Sequence, residues 1–274
     1  MSGALLLFSS LQPWQVGNIF AYGLNAGITG LSMPSKGGEP PLSKIVGHVD
    51  DNKVVSDAYP VLVTPAGYAF SIWGPIFILE LGFTIVQAFT ASDPGFALAA
   101  PYWSAACVGQ AIWAIAFGKR YTGIAAGLLT GIMLCLNQVH AITSPLALSY
   151  PILTKLPFAM HFSWAVAAAA INWNVFLKQS KASSQVLNAA AWISIAVTTA
   201  VTAVTAIQRQ DPTVAFVATW ALRAIASKEK DPGALDCTPD TIRQINKICS
   251  ILSMLSAGLG LAIVGMNFSG TQIY

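Results

Sequence analysis

The chain has 274 residues, of which 55% are hydrophobic and only 9% are charged. Because soluble domains carry about 25% charged residues, this composition indicates an integral membrane protein. The formal net charge of +3 is small and no basic, aromatic-rich stretch accompanies it, so nucleic acid is not an expected partner.

Eight apolar segments are candidates for membrane-spanning helices, which need about 20 residues to cross the hydrocarbon core. In chain order they cover residues 14–33, 67–90, 102–118, 122–144, 156–178, 185–207, 212–227 and 243–268. The sequence therefore predicts an all-α integral membrane protein, a polytopic helix bundle. The connection over residues 34–66 contains Gly, Pro and Asp clusters, which predict a polar loop rather than a domain.

The distribution of positive charge decides whether the seventh segment, which is short and contains Arg223, crosses the membrane. With eight crossings, Lys155 and Arg209 are the only two of the 14 Lys and Arg residues on the side that holds both termini. Without the seventh crossing, the cations would divide equally between the two sides. The positive-inside rule therefore predicts eight spans, with both termini on the side that is poor in positive charge.

The second segment includes the stretch TPAGYAFSIWGPIFILE, residues 64–80. Pro75 cannot donate a hydrogen bond to the carbonyl of Ser71, which would interrupt a helix there. Glu80 is the only acidic residue in any predicted span and lies near the middle of the membrane, where a carboxylate is costly. Two interpretations remain open: Glu80 contacts a ligand or pigment, or it is a hydrogen-bonded group that only ties helices together.

Two histidines belong to the predicted bundle. His140 lies near the end of the fourth span and His161 near the start of the fifth. Either imidazole could ligate a tetrapyrrole metal or donate to a ligand, and either could equally be a packing residue near a helix end. No Ser/His/Asp, HExxH or Cys/His spacing is present, so we predict no catalytic residue, no protein metal site and no enzyme activity.

Tryptophans and amides are other side chains of the spans that can form hydrogen bonds. Trp14 and Trp103 lie at span ends, as in an interfacial belt. Deeper tryptophans need a partner for the indole N–H or a cavity to line, and these are Trp73, Trp113, Trp164, Trp192 and Trp220. They fit simple packing or a flat aromatic ligand. Amides within spans are expected to bond across helices, and these are Gln110, Asn137, Asn172 and Asn174.

Glycines at a spacing of four form a ridge on the fourth span. They are Gly123, Gly127 and Gly131, within the stretch GIAAGLLTG. Such a ridge suits close contact with another helix, which is the interpretation that we favour, or a flat ring lying against the backbone.

Four stretches in chain order resemble the translocator protein/tryptophan-rich sensory protein (TspO/MBR) family, in its longer subfamily with extra C-terminal helices. They are TPAGYAFSIWGPIF, GQAIWAIAF, LPFAMHFSWAVAAAAIN and RQDPTVAFVATWALRAIA. The resemblance implies a five-helix transmembrane bundle over residues 1–180, including the polar loop 34–66. Residues 181–274 would then form a three-helix transmembrane extension.

The resemblance also implies a pocket between helices for porphyrins, other tetrapyrroles or sterol-like ligands. By matching position, its wall would include Trp73, Gln110, Trp113 and Trp164, with Asn172 bracing the fifth span. Tyr68, Phe77 and Gln110 depart from the family pattern and weaken the case for the porphyrin-degrading photochemistry of some members. The complete set of candidate ligand-binding residues is Tyr68, Trp73, Phe77, Glu80, Gln110, Trp113, His140, His161, Trp164 and Asn172.

Three functions are compatible with these features. The first is non-enzymatic binding of a tetrapyrrole- or sterol-type ligand for sensing or transport. The second is an accessory scaffold subunit of a photosystem–light-harvesting supercomplex that holds chlorophyll and carotenoid through a histidine, Glu80 or an amide. The third is a proton-coupled small-molecule transporter that uses an interrupted second span and Glu80.

The expected partners are the lipid membrane, a hydrophobic small molecule, and either a second copy of the chain or a larger membrane complex. The host membrane stays open between a plastid thylakoid, a mitochondrial and a bacterial inner membrane. The sequence assigns no cofactor with certainty, although a porphyrin, another tetrapyrrole, or chlorophyll with carotenoid would suit the predicted site.

Overall fold

A computed structural model describes residues 11–34, 38–89, 94–145 and 150–269, and this part of the chain is helical without any strand. Its eight long helices are α1 (Pro13–Leu31), α2 (Trp73–Phe89), α3 (Pro94–Gly118), α4 (Thr122–Thr143), α5 (Leu156–Gln179), α6 (Ser184–Arg209), α7 (Pro212–Ser227) and α8 (Pro239–Ser269). A 3₁₀ helix, Gly67–Ile72, leads into α2. Short α-helices occupy Ser43–Val46, Asn52–Ala58, Pro151–Thr154 and Pro232–Leu235.

Within the described ranges, five helical segments are long and apolar enough to cross a membrane. They are Gly67–Phe89, Thr122–Thr143, Pro151–Gln179, Ser184–Arg209 and Pro239–Ser269, while α7 is a shorter apolar helix. The prediction of an all-α, multi-pass helical membrane protein is thereby confirmed. The number of eight crossings, the side of the termini and the division into residues 1–180 and 181–274 stay predictions.

Two prolines affect the helices differently from what the sequence suggested. Pro101 lies inside α3, which therefore begins at Pro94 rather than at the predicted residue 102. Pro75 lies in the first turn of α2, because residues 67–72 form the 3₁₀ helix. The first N–H groups of an α-helix have no partner within the helix, so Pro75 removes no bond from the middle of the second span. The interruption that the transporter hypothesis placed within this span lies before α2 instead.

The first five long helices close a ring. Helix α1 packs on α2 and α3, α3 on α4, and α4 on α5, which returns to α2. Helices α6 and α7 pack on α5 as well, and α8 packs on both of them. Helix α5 therefore has neighbours on nearly every side, and 72% of its most apolar window is buried, against 28–39% in the other four candidate spans. Its run of alanines permits these close approaches.

Helix α7 holds the segment that leads into α2. The Ala66 N–H donates to the Ala224 carbonyl at 2.9 Å, and the Trp220 indole N–H donates to the Ala69 carbonyl at 3.1 Å. The Ala66 N–H and the Ala69 carbonyl belong to backbone outside a regular α-helix. Such groups need hydrogen-bond partners in an apolar environment. The start of α2 is therefore positioned by a helix that comes about 150 residues later in the chain.

The connection between α1 and α2 has an apolar underside that packs on one end of the bundle. Fully or largely buried side chains of this connection are Leu42, Val49, Val55, Val61, Leu62 and Val63. The connection is also joined to the α3–α4 corner, where the Asp50 N–H donates to the Gly118 carbonyl at 3.0 Å and Arg120 Nε to Asp50 Oδ2 at 2.7 Å. The predicted polar loop is thus a layer that covers the bundle end.

Substitution at the end of α3 should test this packing. A Cβ on Gly118 would lie 2.7 Å from the backbone oxygen of Asp50, whereas a Cβ on Gly127 of α4 would meet nothing within 4 Å. We expect Gly118→Ala to lower the unfolding free energy by about 1–3 kcal/mol, as other overpacked sites do. The matched control Gly127→Ala should raise it by up to about 1 kcal/mol through helix propensity. Thermal unfolding in detergent measures both, and equal effects of the two changes would contradict the packing.

Candidate functional site

The structure brings five of the ten candidate residues together and separates the other five. Those that meet, at the contact of α2 with α5, are Trp73, Phe77, Glu80, His161 and Trp164. We call this group the α2–α5 aromatic site. Of the remaining five, Gln110, Trp113 and Asn172 lie at contacts of α3, His140 lies at the α4–α6 contact, and Tyr68 packs against α7.

A buried acid–base pair forms the polar centre of the α2–α5 aromatic site. His161 Nδ1 lies 2.7 Å from Glu80 Oε1, and the side chains are 2% and 0% exposed. Pairing offsets part of the desolvation cost that either charged group would have alone in lipid. The bond ties α2 to α5, as the structural interpretation of Glu80 requires. However, Glu80 Oε2 is also buried and has no hydrogen-bond partner among the described residues, which leaves an acceptor for a ligand.

Aromatic rings surround this pair and extend to the surface. The Trp73 ring lies edge-on to His161, with centroids 5.4 Å apart, and edge-on to Trp164 at 6.3 Å. Phe70 stands edge-on to Trp164 at 5.9 Å and is 44% exposed. The indole N–H of Trp164 is buried and finds no acceptor in the described chain. The site thus has an unpaired donor, an unpaired acceptor and an aromatic wall with one open end.

The orientation of His161 leaves one ring nitrogen available. When Nδ1 carries the proton, it donates to Glu80, and the lone pair of Nε2 is free. Nε2 makes no hydrogen bond within the described residues. Metal-binding histidines commonly donate their second ring N–H to a carboxylate, which fixes the tautomer and raises the basicity of the ligating nitrogen. The contact with Glu80 thus fixes the orientation of the His161 ring, and a ligand role for its second nitrogen stays a prediction.

The amide candidates make the bonds across helices that the sequence predicts. Trp113 Nε1 donates to Asn172 Oδ1 at 3.1 Å, which joins α3 to α5. Asn25 Nδ2 donates to Gln110 Oε1 at 3.4 Å, which joins α1 to α3. These side chains have partners on neighbouring helices, so they brace the ring. Their place in the wall of a ligand pocket stays a prediction.

His140 is part of a separate polar network at the end of the bundle where α6 ends. Its Nε2 lies 2.9 Å from Asp211 Oδ2, and Arg209 Nη1 lies 2.7 Å from its Nδ1. Arg209 Nη2 also donates to Asn137 Oδ1 at 2.7 Å. Because both ring nitrogens of His140 have partners, neither is free for a metal, and the arrangement favours the packing interpretation of this residue.

Tyr68 also lies apart from the buried pair. Its hydroxyl lies 3.2 Å from Ser227 Oγ, and its ring is edge-on to Trp220 with centroids 5.0 Å apart. Tyr68 is 43% exposed, so it extends the exposed aromatic surface that includes Phe70 rather than the buried centre.

Four polar residues of α1 were missed by reasoning from the sequence. They are Gln15, Asn18, Tyr22 and Asn25, all of them buried. Asn18 Nδ2 donates to Gln87 Oε1 at 2.8 Å, and the Tyr22 hydroxyl donates to the Phe77 carbonyl at 2.8 Å. Their spacing of three, four and three residues places them on one helix face, and this period was the signal that could have revealed them.

One interpretation of the sequence was wrong, and a second is met only in part within the described chain. Trp103 is not an interfacial residue but is 1% exposed, stacked on Tyr22 at 6.2 Å and edge-on to Phe83 at 4.9 Å. The early start of α3 moves Trp103 from a helix end into its third turn. The glycine ridge of α4 contacts another helix of the chain only at Gly123, where a Cβ would meet Phe176 at 3.0 Å. Gly127 and Gly131 face open space within the described structure.

The buried pair should be important for stability. Glu80→Ala leaves the His161 N–H buried without an acceptor, and we expect the unfolding free energy to fall by about 3–5 kcal/mol. Glu80→Gln, which retains an oxygen acceptor, should cost less. Asp57→Ala is the matched control, because Asp57 pairs with Lys53 on the surface and such pairs contribute about 0.2–1 kcal/mol. Thermal unfolding in detergent measures all three, and similar losses for Glu80→Ala and Asp57→Ala would contradict the assignment.

These features define a polytopic helical membrane protein with a five-helix ring and a polar, aromatic contact between two of its helices. A family model described as TSPO-like protein matches residues 43–262, and the chain belongs to this family. The match includes α2 to α7 and most of α8, so it covers helices beyond the ring. Comparisons with curated proteins and with solved structures gave no match.

Proposed function

We propose that this TSPO-like membrane protein binds a flat, hydrophobic tetrapyrrole-type ligand at the α2–α5 aromatic site, as a non-enzymatic sensor or carrier. The observation that carries the proposal is the pair of unpartnered buried atoms, Glu80 Oε2 and Trp164 Nε1, within one aromatic cluster. Each unpaired buried group costs about 1–3 kcal/mol, which a ligand with both donors and acceptors would offset.

His161 adds a reason to favour a metal-containing tetrapyrrole. Such a group supplies a Lewis-acidic metal, for which a neutral imidazole nitrogen is a suitable ligand. The contact with Glu80 orients the imidazole, and Trp73 packs edge-on against its ring. The residues present therefore fit the group: His161 would hold the metal, and Trp73 and Trp164 would border the macrocycle.

A cavity outside Phe70 offers a route to the site. It has a volume of ≈ 290 Å³ and is lined by Phe70, Pro65 and Gly67 on one side and by Lys53 and Lys228 on the other. Asp57 also lines this cavity and is paired with Lys53, so Lys228 is the ammonium group left to meet a carboxylate at the edge of an amphiphilic molecule, as porphyrins carry. The ligand would enter with its apolar face towards Trp164.

Binding can be measured by titrating the purified protein with a porphyrin and following the Soret absorption band. Trp164→Phe keeps a ring in place and removes the unpaired donor, so we expect affinity to fall about fivefold, the value of one hydrogen bond. Trp192→Phe on α6 is the matched control and should leave the affinity unchanged. Equal affinities of the wild type and the Trp164→Phe and Glu80→Gln variants would refute binding at this site.

A second candidate function is an accessory transmembrane subunit of a photosystem–light-harvesting assembly. The open ridge at Gly127 and Gly131 favours it, since glycines in a helix cost about 1 kcal/mol each and a close helix or ring contact would justify them. The absorption spectrum of the gently purified protein distinguishes the two functions. Chlorophyll and carotenoid bands together with co-purified subunits would support the second candidate, and a pigment-free homodimer would contradict it.

A further inference from the structure

A groove with two cations lies at the end of the bundle where α6 ends and α5 and α7 begin. It has a volume of ≈ 320 Å³, and its lining includes Ile152, Lys155, Arg209, Asp211 and Thr213. Lys155 and Arg209 are also the two cations that the charge count separates from the other twelve of the 14 in the chain. The fold brings them into one groove from positions 54 residues apart.

Neither cation in this groove is neutralised by a carboxylate. Lys155 Nζ donates to the Ser144 carbonyl at 2.7 Å, and Arg209 donates to neutral acceptors on α4, so neither forms an ion pair within the described chain. The carboxylate of the groove, Asp211, is bound to His140. Burial alone would raise the pKa of Asp211, but hydrogen bonds from His140 and Thr213 outweigh it and lower the pKa, so Asp211 stays ionised. The groove keeps an excess of positive charge.

The cavity at the opposite end of the bundle has a different balance of positive and negative charge. Its cations, Lys228 and Lys230, share the cavity wall with Asp57, Glu229 and Asp231. Carboxylates there can compensate the ammonium groups without any ligand. The groove beside α5 differs from this cavity because it has two cations and one carboxylate, and that carboxylate is bound to His140 rather than to either cation.

The position of the groove indicates which anion would meet it. Lys155 directly precedes α5 and Arg209 is the last residue of α6, so both lie where helices of the bundle end. Beside them Ile152 is 66% exposed and Tyr150 is 55% exposed, as expected for side chains at a lipid interface. We propose that the groove binds the anionic headgroup of a membrane lipid. Lys155 and Arg209 direct their remaining N–H groups to the headgroup oxyanion, and Ile152 contacts the acyl region.

The chemistry of the two cations suits this role. A guanidinium and an ammonium both form charge-assisted hydrogen bonds with phosphate oxygens, and the guanidinium can do so with two N–H groups. Each basic residue near an anionic membrane surface is worth about 1 kcal/mol, or about a fivefold change in affinity. Arg209 also holds α4 through His140 and Asn137, so Lys155 is the position at which binding can be changed with less effect on the fold.

Native mass spectrometry of the full chain can count the lipids that it retains from vesicles of phosphatidylcholine and phosphatidylglycerol in a 4:1 ratio. We expect preferential retention of phosphatidylglycerol, and about fivefold less of it for Lys155→Gln. Lys155→Arg should retain it. Lys247→Gln, which changes an exposed cation on α8, is the matched control and should not alter retention.

Three outcomes would overturn the proposal. They are no preference for phosphatidylglycerol in the wild type, equal retention by Lys155→Gln and the wild type, and displacement of the lipid by millimolar inorganic phosphate. The last result would mean that the groove binds a free anion and not a lipid. Thermal unfolding of Lys155→Gln checks its fold: a folded variant with weak retention supports the proposal, and Lys155→Met, which also removes the charge, provides the same test if the glutamine variant unfolds.

Discussion

Besides two side-chain hydrogen bonds to α4, through Trp173 and Gln179, helix α5 makes one to each of four other helices, and the placement of these four helices depends on the bonds. The bonds join His161 to Glu80 of α2, Asn172 to Trp113 of α3, Ser163 to the Val214 carbonyl of α7, and Asn174 to Ser194 of α6. Within lipid, apolar contact alone does not select one helix neighbour over another, since lipid tails are as apolar as side chains. Directed polar bonds between alanine-rich faces therefore specify which helix lies where.

The same bonds decide where a ligand could act. Three of the four are complete, since donor and acceptor satisfy each other. The bond to α2 is incomplete, because it leaves Glu80 Oε2 and the second nitrogen of His161 without a hydrogen bond in the described chain. Directly beside it, the N–H of Trp164 is unpaired as well. A ligand that binds at this contact would use the hydrogen-bonding atoms that the contact between α2 and α5 leaves unpaired.

The sequence predicted the helices well because apolar length and charge are local properties. The number and order of the long helices and the place of Glu80 within the second of them could be read directly. The partner of each polar side chain could not be predicted in this way. Glu80 needed a hydrogen-bond partner, and from the sequence His140 and His161 were equally suitable. The fold selects His161, which lies 81 residues later on the facing helix. Trp103 was misread because the third span was predicted to begin at residue 102, whereas α3 begins at Pro94 and continues past Pro101 in spite of the lost hydrogen bond. The buried polar residues of α1 recur every three or four residues, and reasoning from hydropathy alone did not detect this spacing.

The attachment of the segment before α2 to α7 has a consequence for biogenesis. Ala66 and Ala69 lie directly before α2, while their partners Ala224 and Trp220 are synthesised about 150 residues later. A ribosome-bound intermediate that has inserted only the ring would carry these backbone groups unpaired. Phe70 would then lack its fixed position beside Trp164. The aromatic wall is therefore completed only after the C-terminal helices have been synthesised.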